Sequence, residues 1–162
     1  MLSDNNKLLA RQIEFWHGNL KSGLMKAFEL TPEDKLDWMP TEEMIPLGKV
    51  FLHICETSGW WYGDIVKGRK NTDLSVAGQK CPSKEEIARY LDAHWDRLEQ
   101  FFAEPPDVLD RVYTREGEED GKPYKIEYNG LTIFTHIFQH EIHHRSQIFQ
   151  YLRILGIKPR GV

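Results

Sequence analysis

Apolar residues recur at intervals of three and four positions in the first part of the chain. From Leu9 through Trp16 to Ala27 this spacing predicts a helix over about 5–28. The spacing resumes after Pro46 and predicts a second helix that ends at Gly68, because glycine is the usual residue just past a helix C-terminus. The polar stretch 69–82 that follows shows no period.

Helix start and stop signals define the second half of the chain. Ser83 and Glu86 have the spacing of a capping box, which opens a third helix that Pro105 stops. The segment 111–128 alternates weakly and is interpreted as a long excursion in the form of a hairpin. A fourth helix is expected over about 132–155, closed by Gly156.

Four amphipathic helices without a convincing sheet predict an all-α, up-down four-helix bundle with a long connection between helices 3 and 4. The 162 residues, 40% of them hydrophobic, suffice for one packed core and exclude a disordered chain. We therefore expect residues 1–162 to form a single domain.

Composition and charge limit which binding partners and which cellular compartment are expected. The formal net charge is −4 and no basic stripe recurs, which disfavours nucleic acid as a partner. No apolar run is long enough for a membrane span or a signal peptide, so a cytoplasmic protein is expected. Cys55 and Cys81 lie far apart and are expected to be free thiols rather than a disulfide.

Two histidines of the fourth helix are the strongest candidates for chemistry. On a helical wheel, His140 and His144 lie within the apolar stripe, one turn apart, so both imidazoles could chelate one ion. The alternative is a pair of core histidines satisfied by neighbouring polar groups. His136 lies at the edge of the stripe, about 12 Å along the axis from His144, too far to share its ion easily.

A third ligand must come from upstream, because no Asp, Glu, His or Cys follows His144. His53 is the best candidate, since it lies mid-helix among apolar residues. His94 is the reserve, and its position beside Trp95 is more typical of a half-exposed helix residue than of a ligand.

Residues 140–144 also match the HExxH pattern of zinc proteases. Protease function is disfavoured because there is no downstream ligand and no strand to bind a peptide. Glu141 could pair with Arg145, hold a ligand histidine or act as a base. His143 is a second candidate for moving protons.

The sequence resembles the DinB/YfiT-like superfamily over essentially the whole chain. Four segments carry the resemblance: Trp38-Met39-Pro40, Leu52-His53-Ile54, the run from His136 to Ile148, and Leu152-Arg153-Ile154-Leu155-Gly156. The resemblance implies a four-helix bundle with a metal site on His53, His140 and His144. Ser146 is a departure, since the family often has glycine there.

The resemblance also implies a function, because characterised relatives include thiol-dependent S-transferases and isomerases. We expect one divalent metal ion per chain, zinc or nickel, with iron and copper as alternatives. The expected activity is S-transfer on a small-molecule substrate with a low-molecular-weight thiol. The alternatives are a hydrolase that uses metal-bound water with Glu141 or His143, a non-enzymatic metal-binding stress protein, and a bundle whose site has lost its function. A homodimer is expected, and Trp60 and Tyr151 are expected to line the substrate pocket.

Overall fold

The computed structural model describes residues 4–69 and 81–159, and four long helices dominate this part of the chain. The first helix occupies 4–30 in three consecutive segments, the second occupies 47–66 in two, and the third and fourth are uninterrupted. Their bounds are Asp4–Phe15, Trp16–Lys21 and Ser22–Leu30; Leu47–Ser58 and Gly59–Val66; Lys84–Phe102; and Gly130–Ile154. The predicted all-α, up-down four-helix bundle is confirmed. Residues 70–80 of the predicted polar connection lie outside the described residues.

Capping side chains account for the helix ends. The Ser83 hydroxyl accepts from the backbone N–H of Glu86, and the Glu86 carboxylate accepts from the backbone N–H of Ser83, so the predicted capping box is present. Gly68 has φ +63°, which fits a residue just past a helix end. The fourth helix begins at Gly130, two residues earlier than predicted, because Asn129 Oδ1 accepts from Thr132 N at 2.7 Å.

Two helices contain wider turns that the spacing did not predict. Trp16–Lys21 in the first helix and Gly59–Val66 in the second are π-helical. Both segments contain glycine, which favours the α-helix least among residues other than proline. π-helical turns inside α-helices occur often at functional sites.

The expected excursion between the third and fourth helices is a hairpin. Strand β1 (Val112–Glu119) pairs antiparallel with β2 (Lys122–Asn129). Asp120 and Gly121 both have positive φ, 51° and 73°, as a two-residue type I′ turn requires. The predicted hairpin is thus confirmed. Its two strands form the one sheet in the part of the chain that the structure describes.

The hairpin begins and ends at one place. Gly130 N donates to Arg111 O at 2.9 Å. A Cβ on Gly130 would collide with the carbonyl oxygen of Val108, in the short helix Pro106–Leu109. Only glycine allows this approach of backbone to backbone, which fixes where the fourth helix starts.

The core lies between the helices, with the second packed against the third and fourth and the first packed against the fourth. Its largest fully buried side chains come from all four helices: Trp16, Leu20, Leu24, Leu47, Phe51, Ile54, Ile87, Leu98, Ile133, Ile148, Tyr151 and Leu152. Cys55 and Cys81 are buried free thiols, as expected. Within 4–69 and 81–159 no helix has both the length and the apolar character of a membrane span.

Candidate metal centre

Three histidines from two helices meet at one point of the bundle. His53 of the second helix and His140 and His144 of the fourth each place one ring nitrogen within 4.8 Å of the others. The Nε2 atoms of His53 and His140 are 3.1 Å apart, and the ring centroids of His140 and His144 are 4.3 Å apart. We call these three residues the histidine triad. It is the set that the sequence predicted.

Helix geometry and packing explain the convergence. His140 and His144 are four residues apart, so they project from the same face of the fourth helix. The second helix packs against that face, while Ile54 and Cys55, the next residues after His53, turn into the core. The triad therefore lies at the margin of the core, where the His53 side chain is 38% exposed.

The outer nitrogens of two triad members have acceptors on their own helices. His53 Nδ1 lies 3.4 Å from a Glu56 carboxylate oxygen, and His144 Nδ1 lies 2.8 Å from Gln147 Oε1. Each acceptor follows its histidine by three residues, one turn further along the helix. This leaves the Nε2 atoms of His53 and His144 for the interior of the triad.

The hydroxyl of Thr57 lies beside the histidine triad. Thr57 donates from Oγ1 to the backbone carbonyl of His53 at 3.0 Å. The same oxygen lies 3.1 Å from His140 Nε2. Because its hydrogen is committed to the carbonyl, Thr57 presents oxygen lone pairs to the triad.

The environment favours neutral imidazoles. Burial, followed by the neighbouring His144 and His53, lowers the pKa of His140 to about 3. Burial also lowers the pKa of His144. Neutral imidazole is the form that ligates metals, so at neutral pH both rings are ready to do so.

The donor set fits a divalent cation. Imidazole suits zinc, nickel, copper and iron. Nitrogens bound at about 2.1 Å to one tetrahedral ion are separated by about 3.4 Å, close to the 3.1 Å between His53 and His140. Three histidines supply three of four positions and leave one open, as catalytic sites do.

One known family and two solved structures match nearly the whole chain. The sequence model of the DinB family matches residues 2–162. The chain belongs to the DinB family. Two solved structures share the fold of this DinB-family chain: a DinB-like protein from Bacillus cereus, at 17% identity and a TM-score of 0.67, covering 93% of this chain and 94% of that one, and the DinB-like protein YjoA from Bacillus subtilis, at 20% and 0.62, covering 88% and 90%. No curated protein sequence matches it.

Glu141, the acid of the HExxH match, does not contact the triad in this DinB-family chain. Its side chain is 1% exposed, and its Oε2 accepts from Trp16 Nε1 at 2.8 Å. His94 Nε2 lies 3.6 Å from the same oxygen. Arg145, the expected ion-pair partner, instead donates to the backbone and side-chain oxygens of Asn19, both at 2.9 Å.

His94 is buried, not half-exposed as expected, and it lies outside the triad. Its Nδ1 is 2.7 Å from the hydroxyl of Ser58, which also accepts from Arg97 Nε at 3.1 Å. The third helix turns this histidine toward the second helix, so it meets Ser58 and Glu141 inside the bundle. We call Trp16, Ser58, His94, Arg97 and Glu141 the buried cluster.

The two other histidines of the fourth helix are exposed. The ring of His143 meets that of His144 edge-on at 4.7 Å, which places it at the rim of the triad. His136 packs against Trp61 at 5.0 Å and lies 5.9 Å from His140, measured between ring centroids. Neither belongs to the group of three that could hold an ion.

A groove of about 390 Å³ lies between the second helix and the hairpin. The Arg115 guanidinium lies over the Trp60 ring, 4.6 Å from its centroid. The other lining side chains come from the hairpin: Glu118, Glu119, Tyr124, Ile126 and Tyr128. Trp60 thus lines this groove, whereas Tyr151 does not, because it is buried and donates to Ile45 O at 3.1 Å. Whether the groove is the expected substrate pocket stays a prediction.

Aromatic rings connect the groove with the triad. Tyr128 contacts Trp61 at 4.7 Å between centroids, and Trp61 contacts His136, whose ring neighbours His140. Trp60 follows His53 by seven residues, about 10 Å along the helix. The groove and the triad are therefore joined by a continuous run of aromatic side chains.

Sequence reasoning did not identify Glu56 and Gln147 as site residues. The signal that could have found them is the shared spacing: an acceptor three residues after a candidate ligand, as in His53–Glu56 and His144–Gln147. A histidine that ligates a metal usually donates a hydrogen bond from its other ring N–H to such an acceptor.

Proposed function

We propose that this DinB-family chain is a metal-dependent enzyme that holds one divalent ion, zinc or nickel, through the Nε2 atoms of His53, His140 and His144. The observation that carries the proposal is the convergence of three imidazoles at a half-exposed point of the bundle margin. Two acceptors, Glu56 and Gln147, support the outer nitrogens.

We infer further that the reaction is thiol-dependent S-transfer on a small molecule. A divalent ion in such a site lowers the pKa of a bound thiol or water and so makes a nucleophile at neutral pH. Thr57 and the exposed His143 border the triad, where they can orient a ligand and carry a proton. The aromatic groove beside Trp60 supports a substrate of modest size.

Hydrolysis by bound water is the second candidate, and its proton carrier would be His143. Glu141 supports it poorly as a base, because its carboxylate is buried against Trp16 and His94. The non-enzymatic role, a metal-binding stress protein, is an outcome of the experiments below.

Metal titration of single variants tests the site. His53→Ala should weaken binding of Zn²⁺ or Ni²⁺ by more than about 100-fold, beyond the 10–100-fold loss typical of a supporting residue. His136→Ala is the matched control, an exposed histidine beside His140, and should bind like the wild type. Equal affinity of His53→Ala and wild type would remove His53 from the site.

A substrate screen tests the reaction. The metal-loaded protein is incubated with cysteine-containing low-molecular-weight thiols and an electrophilic acceptor, and in parallel with carboxylic and phosphoric esters. Metal-dependent loss of free thiol, slowed in His143→Ala with metal content unchanged, supports S-transfer. Ester cleavage alone supports the hydrolase, and a loaded protein inactive in both screens supports a binding role.

The homodimer stays a prediction. Eleven large hydrophobic side chains are exposed among the residues described, including Leu8, Phe15, Leu131 and Ile142, and association would cover part of this surface. Light scattering at micromolar concentration should give twice the chain mass. A single-chain mass across that range would reject the dimer.

A further inference from the structure

A line of hydrogen bonds leads from the triad into the loop before the second helix. His144 Nδ1 lies 2.8 Å from Gln147 Oε1, and Gln147 Nε2 lies 3.1 Å from the Tyr151 hydroxyl. That hydroxyl lies 3.1 Å from the backbone carbonyl of Ile45. The Tyr151 side chain is buried at 1% exposure, so the end of the line is fixed in the core.

The chemistry of the groups sets the direction of every bond. A backbone carbonyl can only accept, so the hydroxyl hydrogen of Tyr151 points to Ile45 O. The Tyr151 oxygen can then only accept, and the Gln147 group that faces it must be the NH₂. The Gln147 oxygen therefore faces His144, whose Nδ1 must carry the hydrogen.

We propose that Gln147 and Tyr151 are positioning residues that hold His144 in its Nδ1–H tautomer, with the Nε2 lone pair directed at the other triad nitrogens. This rests on the proposed metal site, because a lone pair at that position serves as a ligand. The ring has only two neutral tautomers, and the wrong one would place N–H where a cation must bind.

The other supporting contact is weaker, so His144 is the member whose state the fold determines. Glu56 lies 3.4 Å from His53 Nδ1, and its side chain is 34% exposed. Water competes for such an acceptor, whereas Gln147 is held between two fixed partners. The orientation of His144 thus depends on Ile45, about a hundred residues away in the chain.

The tautomer is measured directly in the metal-free protein. Two-bond ¹H–¹⁵N correlation spectra at pH 8 distinguish a protonated Nδ1 from a protonated Nε2. The wild type and the exposed-site control Gln150→Met should show His144 as the Nδ1–H form. Gln147→Met should show a mixture or the Nε2–H form, and Tyr151→Phe should lie between. A wild-type His144 with protonated Nε2 would overturn the proposal.

Metal titration gives the second reading. Gln147→Met should weaken Zn²⁺ binding about 10–100-fold, the usual cost of losing such a partner. Gln147→Glu should bind more tightly than Gln147→Met, since a carboxylate still accepts the hydrogen of His144 although it loses the N–H that faces Tyr151. Wild-type affinity in Gln147→Met would contradict the positioning role. If no variant binds metal, the proposed function fails, while the spectra still decide the tautomer.

Discussion

The histidine triad and the buried cluster contain similar residue types at neighbouring positions of the same helices, but the triad is half-exposed and the cluster is closed. His140 and Glu141 are neighbours in the chain, as are Thr57 and Ser58, yet the first of each pair faces the triad and the second faces the interior. His53 is 38% exposed at its side chain, while His94 and Glu141 are each 1% exposed.

The difference follows from helix geometry and from the partners available. Successive residues of a helix point about 100° apart, so one polar pair serves two surfaces. In the buried cluster, Trp16 donates to Glu141 Oε2 and His94 Nδ1 lies 2.7 Å from the Ser58 hydroxyl. Among the described residues, His94 Nε2 and Glu141 Oε1 have no hydrogen-bond partner. In the triad, the Nε2 atoms of His53 and His140 face each other at 3.1 Å, at the half-exposed margin of the core. The half-open group is therefore the one that could take up an ion, and the closed group lies within the packed core.

The sharpest test removes two nitrogens from the triad. His140→Ala/His144→Ala should abolish stoichiometric metal binding, a loss well above about 100-fold. The bundle should stay folded, because both side chains are only half-buried. Metal analysis gives the stoichiometry and circular dichroism the fold. A double variant that keeps one ion per chain would show that the triad is not the metal site.

The buried cluster should show the reverse behaviour. Glu141→Leu leaves the Trp16 N–H without its acceptor and removes the carboxylate that lies 3.6 Å from His94 Nε2, so the free energy of unfolding should fall by about 3 kcal/mol. Folded protein should still bind one metal ion. Urea unfolding measures the change, with Gln139→Leu, an exposed site on the same helix, expected within about 0.5 kcal/mol of wild type. Equal stability of the two variants would show that Glu141 has no structural role.

A smaller change addresses one hydrogen bond of the cluster. Trp16→Phe removes the donor to Glu141 but keeps an aromatic ring against Phe102, 5.0 Å away between centroids. The free energy of unfolding should fall by about 1–2 kcal/mol. In the Glu141→Leu background the same substitution should cost less, because its partner is already gone. Additive effects would mean that the two side chains do not interact.

The smallest effect is expected from thiol reagents. Burial raises the pKa of Cys55, and burial raises that of Cys81 to about 11, so neither forms much thiolate at pH 8. Both should react slowly in the native protein and rapidly in denaturant. Reduction should leave the mass unchanged. Rapid native labelling of Cys55, which lies beside the buried cluster, would show that this side of the bundle opens to solvent.

Local patterns allowed prediction of the helices, their caps and the shared face of His140 and His144, since each depends on residues within one or two turns. His53 required the packing of the second helix on the fourth, for which its apolar neighbours were only indirect evidence. The hairpin gave a weak signal because most of its side chains are exposed and need not alternate.

The contacts of Glu141 and His94 could not be predicted in this way. Helix geometry turns Glu141 about 100° away from His140, but its partner Trp16 is 125 positions away in the chain. His94 Nδ1 lies 2.7 Å from the hydroxyl of Ser58, a residue 36 positions earlier in the chain. Spacing indicates a face of a helix, whereas the identity of a partner across the core depends on the positions of all four helices.

The two ends of the hairpin are held together next to the start of the fourth helix, so the hairpin is a separable connection. Gly130 is seated against Val108 and joined to Arg111, so the origin of the helix that carries His140 and His144 is set outside residues 112–129. Strands of another length, or with other side chains, could be exchanged there without moving the triad. The groove wall can thus be redesigned by grafting hairpins onto an unchanged bundle, which makes this segment the natural place to change the shape and charge of the groove in the laboratory.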